Sequence, residues 1–406
     1  MNRLLNGVRI VDLSHVIAGP MASHYLAQLG AEVIKIEVPA GGDVMRSKGA
    51  TDGDTPSAFA AINVGKQSVA IDIRRPEGAE VVRRLAARAD IFIENFRPGV
   101  VHRRGLGFAD IAGVKPDIVY CSISGFGQHG TWSTRGAYDH VIQALTGMMM
   151  MSGSSEQAPP TKVGFPVIDI TTGIIAALAM VAALRRRDAD GRAQYLDCSM
   201  VDASLMLMYP HACEFLSHGI APGRAGNKGF SGSPGADTFR CRDGWLAVAA
   251  NTAGQFRKLA RLLQLEELCR DDAVLDVDAF EASDGAFVVA RDPQRAQQIL
   301  ACALAGRQAA AMELALNEAG VPAARVRTIG EYLRDEHPQQ GLPPNVQFEQ
   351  AGTTVRTPGL GFRSGHWDST APQKAPALGE HTRRWLGEAG LSSLEIDALL
   401  RQGVAA

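Results

Sequence analysis

The sequence predicts an α/β protein with a parallel sheet, and two patterns carry this prediction. A short β-branched run, Val8–Leu13, is followed by a helical stretch, Met21–Gly30, and by a second strand-like run, Ala31–Glu37. A strand, a helix and a strand within about 30 residues form a crossover unit whose strands are parallel. The same alternation of strand-like and helical segments continues to about residue 200.

Local signals support the individual elements of this region. On the first helix, Ala22, Tyr25 and Leu26 share one face, and Gly30 stands where a helix would end. A Pro-Glu pair opens the helix predicted over Pro76–Arg88. The other strands are predicted at Ser68–Ile73, Asp90–Glu94, Ile118–Ser124 and Gln194–Cys198, and two further helices at Asp139–Met151 and Ile170–Arg187.

The pattern changes after about residue 215, which predicts a second domain. Gly219–Gly235 is rich in Gly, Pro and Ser and predicts a long loop. Beyond it, a strand predicted at Trp245–Ala250 and a helix at Gly254–Leu265 indicate a smaller α+β domain. The predicted organisation is a large α/β domain over 1–215, a glycine-rich linker over 216–235, a small domain over 236–325 and a C-terminal segment over 326–406.

Composition and charge exclude several classes of protein. The 406 residues carry a net charge of −2, without the basic excess of a nucleic-acid-binding surface. The apolar run Ile174–Leu184 is shorter than the roughly 20 residues of a membrane-spanning helix, and the N-terminus lacks a signal-peptide pattern. The six cysteines are scattered without zinc-binding spacing, as is typical of reduced cytoplasmic thiols. We therefore expect a cytoplasmic globular enzyme without a metal site, a nucleic-acid partner or a membrane anchor.

Asp169 is the acidic residue with the most unusual surroundings. It lies in the apolar stretch Val163–Ile170, directly before a strongly apolar helix. Burial disfavours the charged form of a carboxylate, so such a group is either hydrogen-bonded or tuned for function. An N-cap of the following helix is the more ordinary interpretation, and catalysis is the other. The two are compatible, because the start of a helix supplies free N–H groups beside a carboxylate.

Two loops that follow predicted strands are candidate binding segments. Ser14–Pro20 follows the first strand, where open α/β sheets bind ligands, but it lacks the glycine pattern of a dinucleotide site. In Glu94–Gly99, Phe96 could stack on a planar ring and Arg97 could bind a phosphate, unless the segment is only a Pro-Gly turn. The glycines of Gly229–Gly235 could cover a site as a lid or form a flexible linker.

Several segments, in their order along the chain, resemble the class III CoA-transferases, the family of formyl-CoA transferase and carnitine CoA-transferase that also includes the α-methylacyl-CoA racemases. The resembling segments are VRIVDLSHVIAGPMASHYLAQLGAEVIKIE, NVGKQSVAID, ENFRPG, AYDHVIQALTG, Asp169 with its apolar helix, VPAARVRTIGEYL and LGEHTRRWLGEAGLSSLEI. The resemblance covers nearly the whole chain.

The resemblance implies a Rossmann-like large domain built from both ends of the chain, with 326–406 returning to it, and an interlocked homodimer. It implies an enzyme that moves CoA from an acyl-CoA donor to a small carboxylic acid, with CoA as substrate and no permanently bound cofactor. Asp169 is implied as the nucleophile, through a mixed anhydride and an aspartyl-CoA thioester. The lid glycines Gly229, Gly232 and Gly235 are expected to keep water out.

The resemblance also implies which residues contact CoA. The implied contacts are His15, Val16, Ile17, Ala18, Arg74, Asn95, Phe96, Arg103, Arg104 and Tyr138. Formyl-CoA transferases carry a basic residue where this chain has Val38, so one nucleotide contact of that subgroup is absent. Small dicarboxylates such as succinate, itaconate, mesaconate or oxalate are the candidate acceptors.

Two alternative functions are compatible with the resemblance. Racemase members have a His-Asp pair where this chain has Tyr138 and Asp139, and exchange at an α-carbon needs two acid–base groups on opposite faces. Tyr138 is a poor base near neutral pH, so racemisation requires His140 as a substitute. A CoA-binding protein without turnover is the other alternative. Of the two enzymatic activities, we favour CoA transfer.

Overall fold

The computed structural model describes residues 3–47, 57–153, 155, 157–336, 346–350, 352–362 and 374–406. The chain forms two compact units. The large unit comprises Met1–Met148, Lys162–Ala221 and Pro344–Ala406, and the small unit comprises Met149–Thr161 and Pro222–Pro343.

A six-stranded parallel sheet forms the centre of the large unit. Its strands are β1 (Arg9–Asp12), β2 (Glu32–Glu37), β3 (Gln67–Ala70), β4 (Ile91–Glu94), β5 (Val119–Ser124) and β6 (Gln194–Ser199). They are ordered β3-β2-β1-β4-β5-β6, and every neighbouring pair is parallel. The predicted parallel α/β fold is therefore confirmed, and the strand order reverses between β1 and β4.

Helices lie between and after these strands. In chain order they are α1 (Ala18–Gln28), α2 (Ser57–Asn63), α3 (Pro76–Ala86), α4 (Phe108–Val114), α5 (Asp139–Leu145), α6 (Met148–Met151), α7 (Val167–Asp190), α8 (Met200–Leu207), α9 (Tyr209–His218), α10 (Ala253–Leu263), α11 (Val277–Ala282), α12 (Pro293–Ala305), α13 (Ala309–Glu318), α14 (Ile329–Glu331), α15 (Thr382–Glu388) and α16 (Ser393–Arg401). A hairpin of β10 (Val346–Gln350) and β11 (Thr353–Thr357) also belongs to the large unit.

The central sheet is buried on both faces, because neighbouring side chains of a strand point to opposite sides. Val11 and Ile34 belong to the core that also contains residues of α3, α15 and α16. Ile10 and Val33, one position earlier on the same strands, belong to the core that contains residues of α1 and α7. Strands covered on both faces are typical of parallel sheets.

The C-terminal helices complete the large unit. Trp385 of α15 is buried in the same core as α3 and donates through Nε1 to Gln67 Oε1 at 2.9 Å. The backbone N–H of Ala70 on β3 donates to Thr382 Oγ1, also at 2.9 Å. The large unit therefore contains segments from both ends of the chain.

The small unit is an α+β structure with an antiparallel sheet. Its three strands are β7 (Ala236–Cys241), β8 (Gly244–Ala249) and β9 (Ala323–Arg325), in that order. Phe256 of α10 and Phe280 of α11 lie in its core, with their rings edge to face at 5.9 Å.

The boundaries of the two units differ from the predicted domains. Residues 149–161, which the prediction placed in the large domain, belong to the small unit, where Arg224 Nη1 donates to Ser155 O at 3.1 Å. Residues 326–343, predicted in the C-terminal segment, belong to it as well. The other boundary lies inside the predicted linker, 216–235. The unit to which each segment belongs is decided by contacts between segments that are distant along the chain. Such contacts cannot be predicted from local composition.

Two predicted helices have different bounds in the structure. The helix predicted over 139–151 is broken after Leu145, because Gly147 adopts a φ of 83° that a continuing helix does not allow. The apolar helix α7 begins at Val167 with Pro166 as its N-cap residue. Asp169 therefore lies in the first turn of α7, and its interpretation as the N-cap was wrong.

The apolar helix α7 is also longer than expected. By length and composition alone it could cross a membrane, and the bent pair α12 and α13 meets the same criterion together, within the described part of the chain. We expected from the run Ile174–Leu184 that this segment is too short to span a membrane. That expectation was wrong about length, because α7 extends beyond the run at both ends. Core helices of globular proteins meet the same criterion, and 44% of the apolar window of α7 is buried inside the protein.

Helices α1 and α7 approach closely because Gly173 has no side chain. A Cβ at Gly173 would lie 2.8 Å from the carbonyl oxygen of Ala18 and 2.8 Å from Cβ of Met21. Both of these residues lie in the first turn of α1, directly after the loop that follows β1. Gly173 therefore lets the start of α7 lie against that loop.

We expect Gly173→Ala to lower the free energy of unfolding by about 1–3 kcal/mol, the usual cost of overpacking, because a backbone oxygen must move. Gly113→Ala is the matched control, since a Cβ at this position of α4 would meet no atom within 4 Å. The control should be neutral or stabilising by up to about 1 kcal/mol, because Ala favours a helix more than Gly does. Urea denaturation measures the free energy of unfolding of both variants. An equal change in the two variants would contradict the close contact between α1 and α7.

Candidate active site

The candidate site lies where the strand order of the sheet reverses. β1 and β4 are neighbours there, and open α/β sheets bind ligands beside the carboxyl ends of such strands. The loops that follow the two strands are joined by side-chain hydrogen bonds. His15 N donates to Asn95 Oδ1 at 2.9 Å, and Asn95 Nδ2 donates to His15 O at 2.8 Å. The two segments singled out in the sequence therefore form one surface.

A cavity of about 480 Å³ opens beside these loops. The sequence-based candidates that line it are His15, Val16, Ile17, Ala18, Asn95, Phe96, Arg97, Tyr138 and Asp169. Its volume is in the range of small-molecule sites. The structure thus brings Asp169, at the start of α7, to the same cavity as the loops after β1 and β4.

A second cavity, also of about 480 Å³, adjoins the first. His15, Val44, Phe96 and Val100 line both cavities. Arg74 and Arg104 line the second one, where Arg104 Nη1 donates to Arg74 O at 3.3 Å. Arg103, the other candidate arginine of this region, lines neither of the two cavities. Arg74 and Arg104 therefore line the cavity next to the one that Asp169 lines.

The carboxyl group of Asp169 is half-buried and has an unusual acidity. Burial and the charge of the nearby Asp139 raise the pKa of Asp169 to about 7. An ordinary aspartate is fully ionised at neutral pH, whereas this one is partly protonated. A strongly shifted carboxyl on the wall of a cavity is a candidate for covalent or acid–base chemistry.

Asp139 on α5 caps the start of α7. Its Oδ2 accepts hydrogen bonds from the backbone N–H groups of Ile168 at 2.6 Å and Asp169 at 3.1 Å. Its Oδ1 accepts from Gln143 Nε2 at 2.5 Å, and Gln143 Oε1 accepts from the N–H of Val163 at 2.9 Å. These bonds satisfy N–H groups that no N-cap side chain serves. The sequence gives no sign of this role except the four-residue spacing of Asp139 and Gln143.

Buried charges fix the loop after β1, although neither charged residue was a candidate on sequence grounds. Lys35 Nζ donates to Ser14 O at 2.8 Å and pairs with Asp43 Oδ2 at 3.0 Å. Asp43 Oδ1 in turn accepts from the N–H of Val16 at 3.2 Å. Val16 has a φ of 68°, a left-handed conformation that β-branched residues rarely adopt. The loop that lines the cavity is therefore held in a strained conformation.

Two arginines line the first cavity without a carboxylate partner among the described residues. They are Arg97 and Arg135. The guanidinium carbon of Arg135 lies 4.2 Å from the ring centroid of Trp132, which leaves the edges of the group free. Gly136 leaves room for Arg97, since a Cβ there would lie 3.0 Å from Arg97 Nη2. The cavity therefore has positive charge available for an anionic ligand.

The acid–base pair that racemisation needs is not assembled at this cavity. Tyr138 lines the cavity and is 68% exposed. His140, the required substitute base, is not among the lining residues. Asp139 is occupied as the cap of α7.

The three predicted lid glycines belong to the small unit. The N–H of Gly229 donates to Ala236 O at 2.7 Å, and a Cβ at Gly235 would lie 2.9 Å from Cβ of Ala250. Gly232 has a φ of 71°, which favours glycine. These positions need glycine for packing and backbone conformation within the small unit, and the role as a lid stays a prediction.

The described ranges contain neither a cluster of metal ligands nor a disulfide. No group of three or more His, Cys, Asp or Glu side chains there could hold a metal ion. All six cysteines are free thiols. The Sγ atoms of Cys121 and Cys198 lie 4.0 Å apart on neighbouring strands, and neither cysteine lines the two cavities.

Comparison with known proteins places the chain in a family. The model of CoA-transferase family III matches residues 5–382. The chain is 32% identical over 386 residues to succinyl-CoA:glutarate CoA-transferase of Mus musculus, covering 95% of this chain and 86% of that protein. It is 33% identical over 396 residues to succinate–glutarate CoA-transferase of Agrobacterium fabrum, covering 95% of each. The crystal structure of a CAIB/BAIF family protein from Brucella suis matches with a TM-score of 0.81 and 30% identity, over 96% of this chain and 100% of that one.

The parallel sheet, the cavities at its reversal point and these similarities define a CoA-transferase. The chain belongs to CoA-transferase family III. It is an acyl-CoA:carboxylate CoA-transferase, which confirms the activity that the resemblance of its motifs implied.

The family resemblance implies that Asp169 attacks the thioester, and a carboxylate attacks only in its ionised form. On that implication we expect kcat/KM for the acyl-CoA to rise with pH through an apparent pKa of about 7. Asp139→Asn should move this rise to lower pH, since it removes the charge that helps to raise the pKa yet leaves an oxygen to accept the α7 amides. Asp110→Asn is the control, because Asp110 accepts from Gly107 N at 3.0 Å at the start of α4. The pH dependence of kcat/KM is measured for wild type and for both variants. An Asp139→Asn profile identical to that of wild type would contradict the effect of the Asp139 charge on the pKa of Asp169.

Proposed function

We propose that Asp169 is the nucleophile of the transfer and carries the reacting groups covalently. The observation that carries the proposal is the position of its half-buried carboxyl on the cavity that the loops after β1 and β4 also line. The raised pKa of Asp169 supports it, because a poorly hydrated carboxylate loses less solvation when it attacks a carbonyl carbon.

The proposed reaction has four acyl-transfer steps. Asp169 attacks the thioester carbonyl of the donor, and the CoA thiolate leaves, which produces a mixed anhydride. The thiolate attacks the aspartyl carbonyl of this anhydride, which releases the donor carboxylate and produces an aspartyl-CoA thioester. The acceptor carboxylate then displaces the thiolate to produce a second anhydride. The thiolate finally attacks the acceptor carbonyl, which yields the new acyl-CoA and free Asp169.

We infer that CoA extends through both cavities, with its thiol end at Asp169. Arg74 and Arg104 supply positive charge for the nucleotide end, and Arg97 and Arg135 supply it along the cavity of Asp169. The remaining proposed contacts are His15, Val16, Ile17, Ala18, Asn95, Phe96, Tyr138 and, on the family resemblance alone, Arg103. Gly229, Gly232 and Gly235 are proposed to keep water from the anhydrides.

The acceptor is proposed to be a small dicarboxylic acid. The relatives from Mus musculus and Agrobacterium fabrum are named for succinate and glutarate, both of which are dicarboxylates. The substrate is identified by measuring the rate of CoA transfer for pairs of acyl-CoA donor and acid acceptor. The dicarboxylates to be tested are succinate, glutarate, mesaconate, itaconate and oxalate, and acetate and butyrate are the monocarboxylate controls. Equal turnover of monocarboxylates and dicarboxylates would remove this part of the proposal.

We expect Asp169 to become covalently modified during turnover. Wild-type enzyme incubated with acyl-CoA and treated with hydroxylamine should yield a hydroxamate at Asp169, and borohydride should reduce the same activated carboxyl to an alcohol, both detected by peptide mass spectrometry. Asp169→Asn should keep the fold and lose transfer by at least about 10³-fold, since an amide is a poor nucleophile. An unmodified Asp169 peptide in an enzyme that turns over would exclude the covalent route.

We also propose that the chain forms a homodimer. The consecutive helices α7, α8 and α9 of the large unit expose large apolar side chains, among them Leu178 at 69%, Tyr209 at 62% and Leu216 at 82%. A helix as apolar as α7 is usually covered on most of its surface, and exposed apolar patches of this kind mark protein interfaces. A second copy of the chain is the partner we propose, and the family resemblance implies that the two copies interlock.

We expect the wild-type chain to sediment with twice the mass of one chain. Leu216→Glu should raise the monomer fraction, whereas Leu394→Glu should not, although Leu394 on α16 is equally exposed at 81%. Interlocking predicts in addition that two differently tagged wild-type dimers do not exchange subunits when they are mixed in the native state, but do so after joint unfolding and refolding. A monomeric wild type contradicts the dimer, and native exchange contradicts the interlocking.

A further inference from the structure

We propose that Asp43, paired with Lys35, is a positioning residue that keeps Val16 in its left-handed conformation and thereby sets the shape of the loop that binds CoA. The inference rests on the proposed function in one respect, that the loop after β1 contacts CoA.

This loop has no backbone ladder between β1 and α1, so its polar backbone groups need other partners. Side chains from four different segments provide them. The partners are Asp12 and Lys35 for the N–H and C=O of Ser14, Asn95 for both backbone groups of His15, and Asp43 for the N–H of Val16. Three consecutive residues are thus fixed by side chains rather than by secondary structure.

Val16 is the residue of this loop that needs such support most. It is one of two non-glycine residues with positive φ in the described part of the chain, the other being Gln264. A left-handed conformation is costly for a β-branched residue and persists only where the surroundings enforce it. Its side chain also packs against the apolar cluster that includes Phe59 and Phe348.

The negative charge of Asp43 is compensated by Lys35, which allows Asp43 to hold Val16 from a buried position. The side chains of Lys35 and Asp43 are 0% and 1% exposed. One Asp43 oxygen faces Lys35 Nζ, and the other accepts from Val16 N and from Met45 N at 3.0 Å. Lys35 also binds the carbonyl of Ser14, so the same ion pair holds the loop at two points.

The test is a double-mutant cycle on CoA affinity. Asp43→Ala should raise the Kd of CoA about tenfold, or roughly 1.4 kcal/mol, because Val16 then relaxes to negative φ and the loop changes shape. In a Val16→Gly background the same substitution should raise it less than about threefold, because glycine adopts positive φ without support. The KM for the acyl-CoA should follow Kd, with kcat within about twofold of wild type. Calorimetric titration of unmodified CoA measures Kd without any reaction at Asp169.

Two further proteins keep the test decisive. Removing one member of a buried ion pair is strongly destabilising, so Asp43→Leu combined with Lys35→Met replaces Asp43→Ala if the latter does not fold, because the double substitution removes both charges and the acceptor of the Val16 N–H. Asp90→Ala is the matched control, since Asp90 pairs with Arg187 at 2.7 Å at the opposite end of β4. It should lower stability and leave Kd unchanged.

The outcomes separate this inference from the proposed function. An equal rise of Kd in the wild-type and Val16→Gly backgrounds, or no rise in either, overturns the positioning role. Tight CoA binding with the expected cycle, but no covalent species at Asp169, overturns the covalent mechanism and leaves the positioning role intact. A wild-type protein that does not bind CoA overturns both.

Discussion

The reversal of strand order between β1 and β4 is the constraint on which the site depends. The connections that leave these neighbouring strands run to opposite sides of the sheet, which leaves a crevice at their carboxyl ends. Hydrogen bonds between His15 and Asn95 join the two loops across it. Gly173 then allows the start of α7 to lie against α1, and this brings Asp169 to the same crevice. The position of the Asp169 carboxyl is therefore a consequence of sheet topology and one close helix contact.

Two groups of charged residues beside this crevice have a cost in stability. A carboxylate in the first turn of a helix is normally stabilised by free N–H groups. Here Asp139 already accepts the N–H groups of Ile168 and Asp169, and its charge adds to burial in raising the pKa of Asp169. In the loop after β1, a buried ion pair enforces a backbone conformation that valine disfavours. Local conflicts of this kind are typical of active sites.

Sequence patterns were sufficient for features that depend on neighbours along the chain. The six strands of the large unit were each predicted, with ends that differ by a few residues, because β-branched runs and turn residues are local signals. Asp169 stood out because its apolar neighbours imply burial. The roles of Asp139, Lys35 and Asp43 could not be predicted in the same way, because the groups they bind are far away in the sequence. Asp43 lies 27 residues from Val16, and Asp139 lies 30 residues from Asp169.

By itself, the sequence determined the six strands of the parallel sheet, the family to which the chain belongs and the candidate status of Asp169. Tertiary structure alone decided the position of the strand reversal, the membership of 149–161 in the small unit and the cap that Asp139 supplies to α7. The physical reason is that conformational preference arises from each residue and its near neighbours. Packing decides whether a charge is buried and which residue compensates it. The segments that pack together meet only when the chain folds.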